Sequence, residues 1–117
     1  MYSPQVLDHF QNPRNVGELA EPTAWAQVEN PVCGDILRLE VKLADGRIVE
    51  ARFRARGCVP AIACGSQLTE MLRGKTVNQA GKLQRDELVG SLGGLPEASE
   101  HAGHLAMDAL AAVLKKI

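Results

Sequence analysis

Between Leu37 and Arg56 the chain alternates. Leu37, Leu39, Val41 and Leu43 are separated by Arg38, Glu40 and Lys42, the period of two that turns successive side chains to opposite faces of a half-buried strand. Asp45-Gly46 interrupts the pattern as a turn signal, with the loop length left open by its neighbours. From Arg47 to Arg56 the alternation resumes. Val49, Ala51, Phe53 and Ala55 fall on one face, and Glu50, Arg52, Arg54 and Arg56 on the other. Two such strands predict an antiparallel hairpin with one packed face and one wet face. The arginines are read as a solvated face or, failing that, a surface for a partner.

Helical signals flank the hairpin. Ser3-Pro4 is an N-cap followed by a first-turn proline, predicting a short helix from residue 4 to about 10, which Asn12-Pro13-Arg14-Asn15 and Gly17 break into a loop. A short strand is expected around Trp25 to Val28. After Gly57-Cys58, Pro60 suits a helix start and Gly74 a stop after Arg73. At about 100° per residue, Ala61, Cys64, Leu68, Met71 and Leu72 share one face of that helix. Two short helical pieces follow near 77–83 and 86–91. A last helix runs from about Glu97 to Lys116, with Ala98, Ala102, Leu105, Ala109 and Val113 as its apolar face. Strands first and helices afterwards predict an α+β fold, a small antiparallel sheet with helices packed on one face, in a single domain over residues 1–117.

Composition narrows the function. Hydrophobic residues make up 45% and charged residues 23% of the 117, ordinary values for a packed domain. Tyr2, Phe10, Trp25 and Phe53 are the aromatics, too few for base-stacking surfaces. A formal net charge of −1 gives no general attraction to phosphate backbones or anionic lipids. Neither nucleic acid nor a membrane is therefore an expected partner, and no stretch approaches the roughly 20 apolar residues that span a bilayer. The first residues, MYSPQVLDHF, lack the basic and apolar regions of a secretory signal. Cys33, Cys58 and Cys64 are an odd number, a poor disulfide framework, and three thiols suit a reducing compartment. The cytoplasm is the expected location.

The hairpin brings candidate chemistry together. Cys33-Gly34-Asp35 lies about ten residues before the Asp45-Gly46 turn and Gly57-Cys58 about ten after it. If the strands pair through that turn, both cysteines reach the same open end. Two thiolates with a carboxylate between them offer soft and hard ligands suited to zinc or iron. Cys58 also precedes a helix, whose amide dipoles favour a thiolate. Gly34 and Gly57 let the backbone bend closely. The alternative is two unrelated core cysteines and a turn aspartate.

Three segments tip the balance. Asp8-His9-Phe10-Gln11-Asn12-Pro13-Arg14-Asn15-Val16-Gly17, Cys33-Gly34-Asp35 and Arg56-Gly57-Cys58 together resemble the IscU/NifU-type iron–sulfur cluster assembly scaffolds, and further short matches run nearly end to end. The resemblance implies a sheet with helices on one face and a site formed by two loop cysteines, an aspartate and a His-Cys pair of the last helix. Carried over, it implicates Cys33, Asp35, Cys58 and His101. It implies a scaffold or carrier of an iron–sulfur cluster, of the 2Fe–2S type, or its precursor iron, with zinc able to fill the same site. No turnover enzyme is implied. The partners implied are a cysteine desulfurase and acceptor apo-proteins.

Two departures bear on function. The third cysteine of the family falls at Ala102, which cannot ligate. Cys64, at a position resembling a family serine, is either a replacement ligand or sulfur relay, or a core thiol. The Leu-Pro-Pro-Val-Lys segment of the family reads Leu95-Pro96-Glu97-Ala98-Ser99 here, which puts docking of a specialised Hsp70 chaperone in doubt. Two other readings stay open: a zinc-binding or regulatory paralogue that docks to a desulfurase without assembling clusters, and thiol chemistry between Cys58 and Cys64.

Overall fold

The computed structural model describes residues 1–117. Its elements run α1 (Pro4–Gln11), β1 (Ala24–Glu29), β2 (Ile36–Ala44), β3 (Arg47–Arg56), α2 (Val59–Leu72), α3 (Val77–Gly81), α4 (Arg85–Ser91), a 3-10 turn (Glu97–Ser99) and α5 (Glu100–Leu114). The three strands form one antiparallel sheet in the order β1-β2-β3, and the α+β expectation is met. No helix is long and apolar enough to cross a membrane.

Ser3 caps α1, its hydroxyl accepting from the Val6 amide at 3.0 Å. Asp45 and Gly46 both take positive φ, 54° and 76°, and Ala44 pairs with Arg47. The loop is therefore two residues long, with the left-handed backbone that matches strand twist. Ile36 pairs with Arg56 at the other end, so Asp35 lies opposite Gly57, one residue beyond what straight counting from the turn gives, and both cysteines reach the open end as expected.

Three expectations need correction. Val49 does not share the packed face. A bulge between Lys42 and Leu43 shifts the register, so Ile48 is buried and Val49 is exposed. An extra residue in one strand reverses the facing of everything on one side of it. Glu40 does not sit on a wet face either. Residues 16–23 cross that face from the β3 edge, where Val16 bridges Phe53, to the β1 edge, where the Thr23 amide donates to the Val41 carbonyl. Beneath this strap Glu40 is 2% exposed, accepting from the Leu19 amide at 2.8 Å and Arg38 Nε at 2.7 Å. Ala98 belongs to the 3-10 turn, not to α5. The tighter turn changes the helical phase, leaving Ala98 exposed and burying Ser99.

Helix α2 is buried on more than the one predicted face. Pro60, Ala63, Gly65, Ser66 and Thr69 are covered as well as Ala61, Cys64, Leu68 and Leu72, while Met71 is half-buried. The helix lies between β3, α1 and α5. A Cβ at Gly65 would come within 2.6 Å of the Phe53 ring, so glycine lets α2 lie close on the sheet. The segment Asp8–Asn15 ties onto this helix. His9 Nδ1 meets Ser66 Oγ at 2.7 Å, the Arg14 amide donates to the same oxygen at 2.9 Å, and Asn15 Nδ2 donates to Thr69 Oγ1 at 3.1 Å.

Candidate metal centre

Asp35 ends a tight loop. The Asn30 amide donates to the Asp35 carbonyl at 2.8 Å and the Gly34 amide to the Asn30 carbonyl at 2.7 Å. Within the loop Asn30 Oδ1 accepts from the Val32 amide at 3.0 Å and, more weakly, the Cys33 amide at 3.4 Å. Gly34 takes a φ of 75°, a left-handed conformation that glycine adopts without strain. The loop turns Cys33 to solvent, where it is exposed. Asp35, two positions before Leu37, turns the other way and is 5% exposed.

Directly across the hairpin, Gly57 has a φ of 151°. A Cβ there would lie 2.6 Å from Asp35 Cγ and closer still to Oδ1. The carboxylate thus occupies space that any other residue at 57 would fill. The expected role of Gly57, bending the chain, is joined by this second one.

Cys58 is the N-cap of α2. Its Sγ donates to Asp35 Oδ2 at 3.2 Å and lies 3.9 Å from His101 Nε2. The imidazole, from the first turn of α5, is 3.7 Å from Asp35 Oδ2. The ligand atoms of Asp35, Cys58 and His101 all lie within 4.8 Å of one another. Three elements, the start of β2, the start of α2 and the start of α5, so deliver an oxygen, a sulfur and a nitrogen to one point. Such a mixed set suits iron or zinc.

The thiol of Cys58 is held above its ordinary pKa. Burial is the main cause, and the hydrogen bond and charge of Asp35 add to it, while the Ala61 amide at the start of α2 pulls the other way. The expectation that the helix would favour a thiolate is correct in sign for that amide and outweighed by desolvation and the neighbouring carboxylate. The raised pKa accords with a Cys58 thiol that donates its proton to Asp35 Oδ2.

Two of the sequence-named residues lie outside this trio. Cys33 is on the exposed loop beside it. Cys64 is fully buried in the hydrophobic core, and burial pushes its thiol up to about 12. Ala102, following His101, is buried and supplies no donor. A groove of about 240 Å³ lies beside His101, lined also by Pro31, His104 and Asp108. The order Asp35, Cys58, His101 was legible before the structure. The tie between residues 8–15 and α2 was not, because His9 and Arg14 act on Ser66, 52 or more residues away, and nothing local to either sequence segment signals the pairing.

The chain is similar to known proteins along nearly its whole length. A family model described as "NifU-like N terminal domain" matches residues 1–117. The chain is 48% identical over 110 residues to an iron–sulfur cluster assembly scaffold protein IscU of Archaeoglobus fulgidus, a match covering 94% of this chain and 72% of that protein. It is 38% identical over 117 residues to the iron–sulfur cluster assembly scaffold protein IscU of Haemophilus influenzae, covering 97% and 92%. Among solved structures, the N-terminal NifU-like protein of Brucella abortus superposes with a TM-score of 0.79 at 23% identity, over 98% of this chain and 92% of that one.

Proposed function

The chain belongs to the family of NifU-like N-terminal domains, and from that premise we propose that it is an iron–sulfur cluster assembly scaffold, a carrier of its cargo and not a turnover enzyme. The names of its relatives support the reading. The observation that carries it is the meeting of a thiol, a carboxylate and an imidazole within 4.8 Å at the open end of the hairpin. Residues 1–117 act in this reading as one scaffold domain.

Cys33 and Cys58 are the thiolate ligands, Asp35 the oxygen ligand and His101 the imidazole that completes the shell. His101 takes this place ahead of Cys64 because Cys64 lies wholly in the core with a thiol that ionises near 12, whereas His101 Nε2 already stands 3.9 Å from the Cys58 sulfur. Four ligands of this kind suit a 2Fe–2S cluster or its precursor iron, and zinc fits the same donors. Binding drives the proton off Cys58, so loading is linked to proton release. With only two thiolates, the cluster is held less firmly than by four, which favours transfer to acceptor apo-proteins over storage. The exposed thiol of Cys33 is accessible to a sulfur donor such as a cysteine desulfurase, and the chemistry belongs to a reducing cytoplasm.

Anaerobic reconstitution with iron and sulfide tests the reading, followed by visible absorption and by iron and sulfide content. The parent and Cys64→Ala should both form a cluster, and Cys33→Ala and Cys58→Ala should not. Tight zinc with no cluster in the parent would sink the proposal in favour of a zinc-binding partner protein.

A further inference from the structure

Charge is spread unevenly over this chain. Its formal net charge is −1, yet one groove of about 550 Å³ gathers Arg47, Arg73, Lys75 and Lys82 against a single carboxylate, Glu87. Three distant stretches build it. Arg47 opens β3 just after the hairpin turn, Arg73 and Lys75 lie in the link after α2, and Lys82 follows α3. Backbone bonds hold the first two together: the Ile48 amide donates to the Lys75 carbonyl and the Gly74 amide to the Ile48 carbonyl, both at 2.8 Å. Arg47 Nη1 adds a bond to the Gly74 carbonyl at 3.0 Å.

Two of the cations make neutral hydrogen bonds, Arg47 to the Gly74 carbonyl and Arg73 Nη1 to Asn15 Oδ1 at 3.4 Å, but none is paired with an acid. Arg14, Arg38, Arg54 and Arg85 each have a carboxylate within 4.0 Å, but no ion pair engages any of the four groove cations. The one acid lining the groove, Glu87, accepts from the Gln84 amide at 3.1 Å through Oε1 and caps α4, leaving four cations against one carboxylate. Four like charges held in one concave surface repel one another and give it a positive potential, which an incoming anion relieves.

We propose that this groove docks an acidic segment of a partner protein, its carboxylates meeting Arg47, Arg73, Lys75 and Lys82. Guanidinium groups at one side favour paired contacts with carboxylates. A nucleic acid suits the groove less well, because no aromatic side chain lines it for stacking and the chain as a whole is slightly acidic, with a pI of about 6.3. The groove sits at the turn end of the hairpin and Asp35 at the open end. The nine residues of β2 separate them by roughly 30 Å at the usual rise of about 3.3 Å per residue. A partner seated in the groove leaves the metal centre uncovered, so both ends can be engaged at once. The inference stands independently of what the centre binds.

The test is a titration of isotopically labelled protein with an acetylated hexaglutamate peptide, followed by amide chemical shifts at low salt. Saturable shifts should cluster at Arg47, at 73–76 and at 79–87, and should fade as salt screens the contact. Arg73 and Lys82 are exposed, so Arg73→Glu with Lys82→Glu should weaken the peptide about tenfold or more without changing the circular dichroism spectrum or metal binding. Lys75→Gln, a milder change, should weaken it less. Shifts centred on Arg52, Arg54 and Arg56, binding indifferent to the charge reversals, or tighter binding of inorganic phosphate or of a short oligonucleotide than of the peptide would each overturn the proposal.

Discussion

Replacing Gly57 with alanine probes how closely the two halves of the centre are fitted together. The new methyl carbon would lie 2.6 Å from Asp35 Cγ and 3.0 Å from Asp35 Cβ, distances that carbon atoms do not sustain, so the carboxylate must move. The backbone at 57 also has a φ of 151°, and a non-glycine residue held there costs about 1–3 kcal/mol. Displacing Asp35 breaks its 3.2 Å bond from Cys58, worth about 1 kcal/mol. The sum is a loss of about 2–4 kcal/mol in urea unfolding, accompanied by weaker metal binding in a chelator competition. The decisive comparison is with Asp35→Ala. That change removes two of the three atoms the methyl meets, so Gly57→Ala should then cost mainly the backbone strain and should lower metal affinity little further. Coupling of about 1 kcal/mol between the two sites is expected. Strict additivity in both stability and metal affinity would refute the claim that Gly57 is there to make room for the carboxylate.

Three further outcomes follow from the same geometry. Gly65→Ala forces a methyl within 2.6 Å of the Phe53 ring and 3.0 Å of Leu37, so it should cost about 1–3 kcal/mol by overpacking while leaving metal affinity per folded molecule unchanged. Cys64 ionises at about 12 in the fold against an ordinary value of 9.0. Above the ordinary value the unfolded chain has lost a proton that the folded one keeps, so the stability is full below pH 9 and is lost as pH rises toward 12. Unfolding under reducing conditions should show this fall at about 1.4 kcal/mol per pH unit, and Cys64→Ala should flatten it. Metal uptake should release a proton from Cys58, whose thiol is held above its usual range, so unbuffered titrations should acidify and apparent affinity should climb with pH in buffered ones. Asp35→Asn, which removes the neighbouring charge that opposes the thiolate, should reduce the proton release at a given pH.

Much of this was readable from the residues, and the exceptions have physical causes. The hairpin and its convergence came from strict alternation and one Asp-Gly turn, which is local information. The bulge was not readable, because Ile48 and Val49 are adjacent and both apolar, and periodicity alone cannot say which faces inward. Burial of Glu40 depended on residues 16–23 crossing the sheet, a contact some twenty residues distant in sequence. Ala98 was misplaced because a 3-10 turn and an α-turn carry the same kind of sequence. At the centre, the spacing brought Cys33, Asp35 and Cys58 to one end of the sheet, and the family resemblance added His101. The upward shift of the Cys58 thiol needed the structure, since burial and the Asp35 charge oppose the amides at the start of α2 that the sequence makes visible. The basic groove was invisible for the same reason as the strap: its four cations come from stretches that meet only in the fold.

Iron X-ray absorption on the anaerobically reconstituted protein addresses the central claim most directly, because it reads the ligands and any second metal together. The account predicts an iron–iron vector, bridging sulfide, and terminal ligands split between sulfur from Cys33 and Cys58 and light atoms from Asp35 and His101, with the light-atom share falling in His101→Cys. Mononuclear iron with no iron neighbour, or a shell that is unchanged when Cys58 is replaced by alanine, would contradict it.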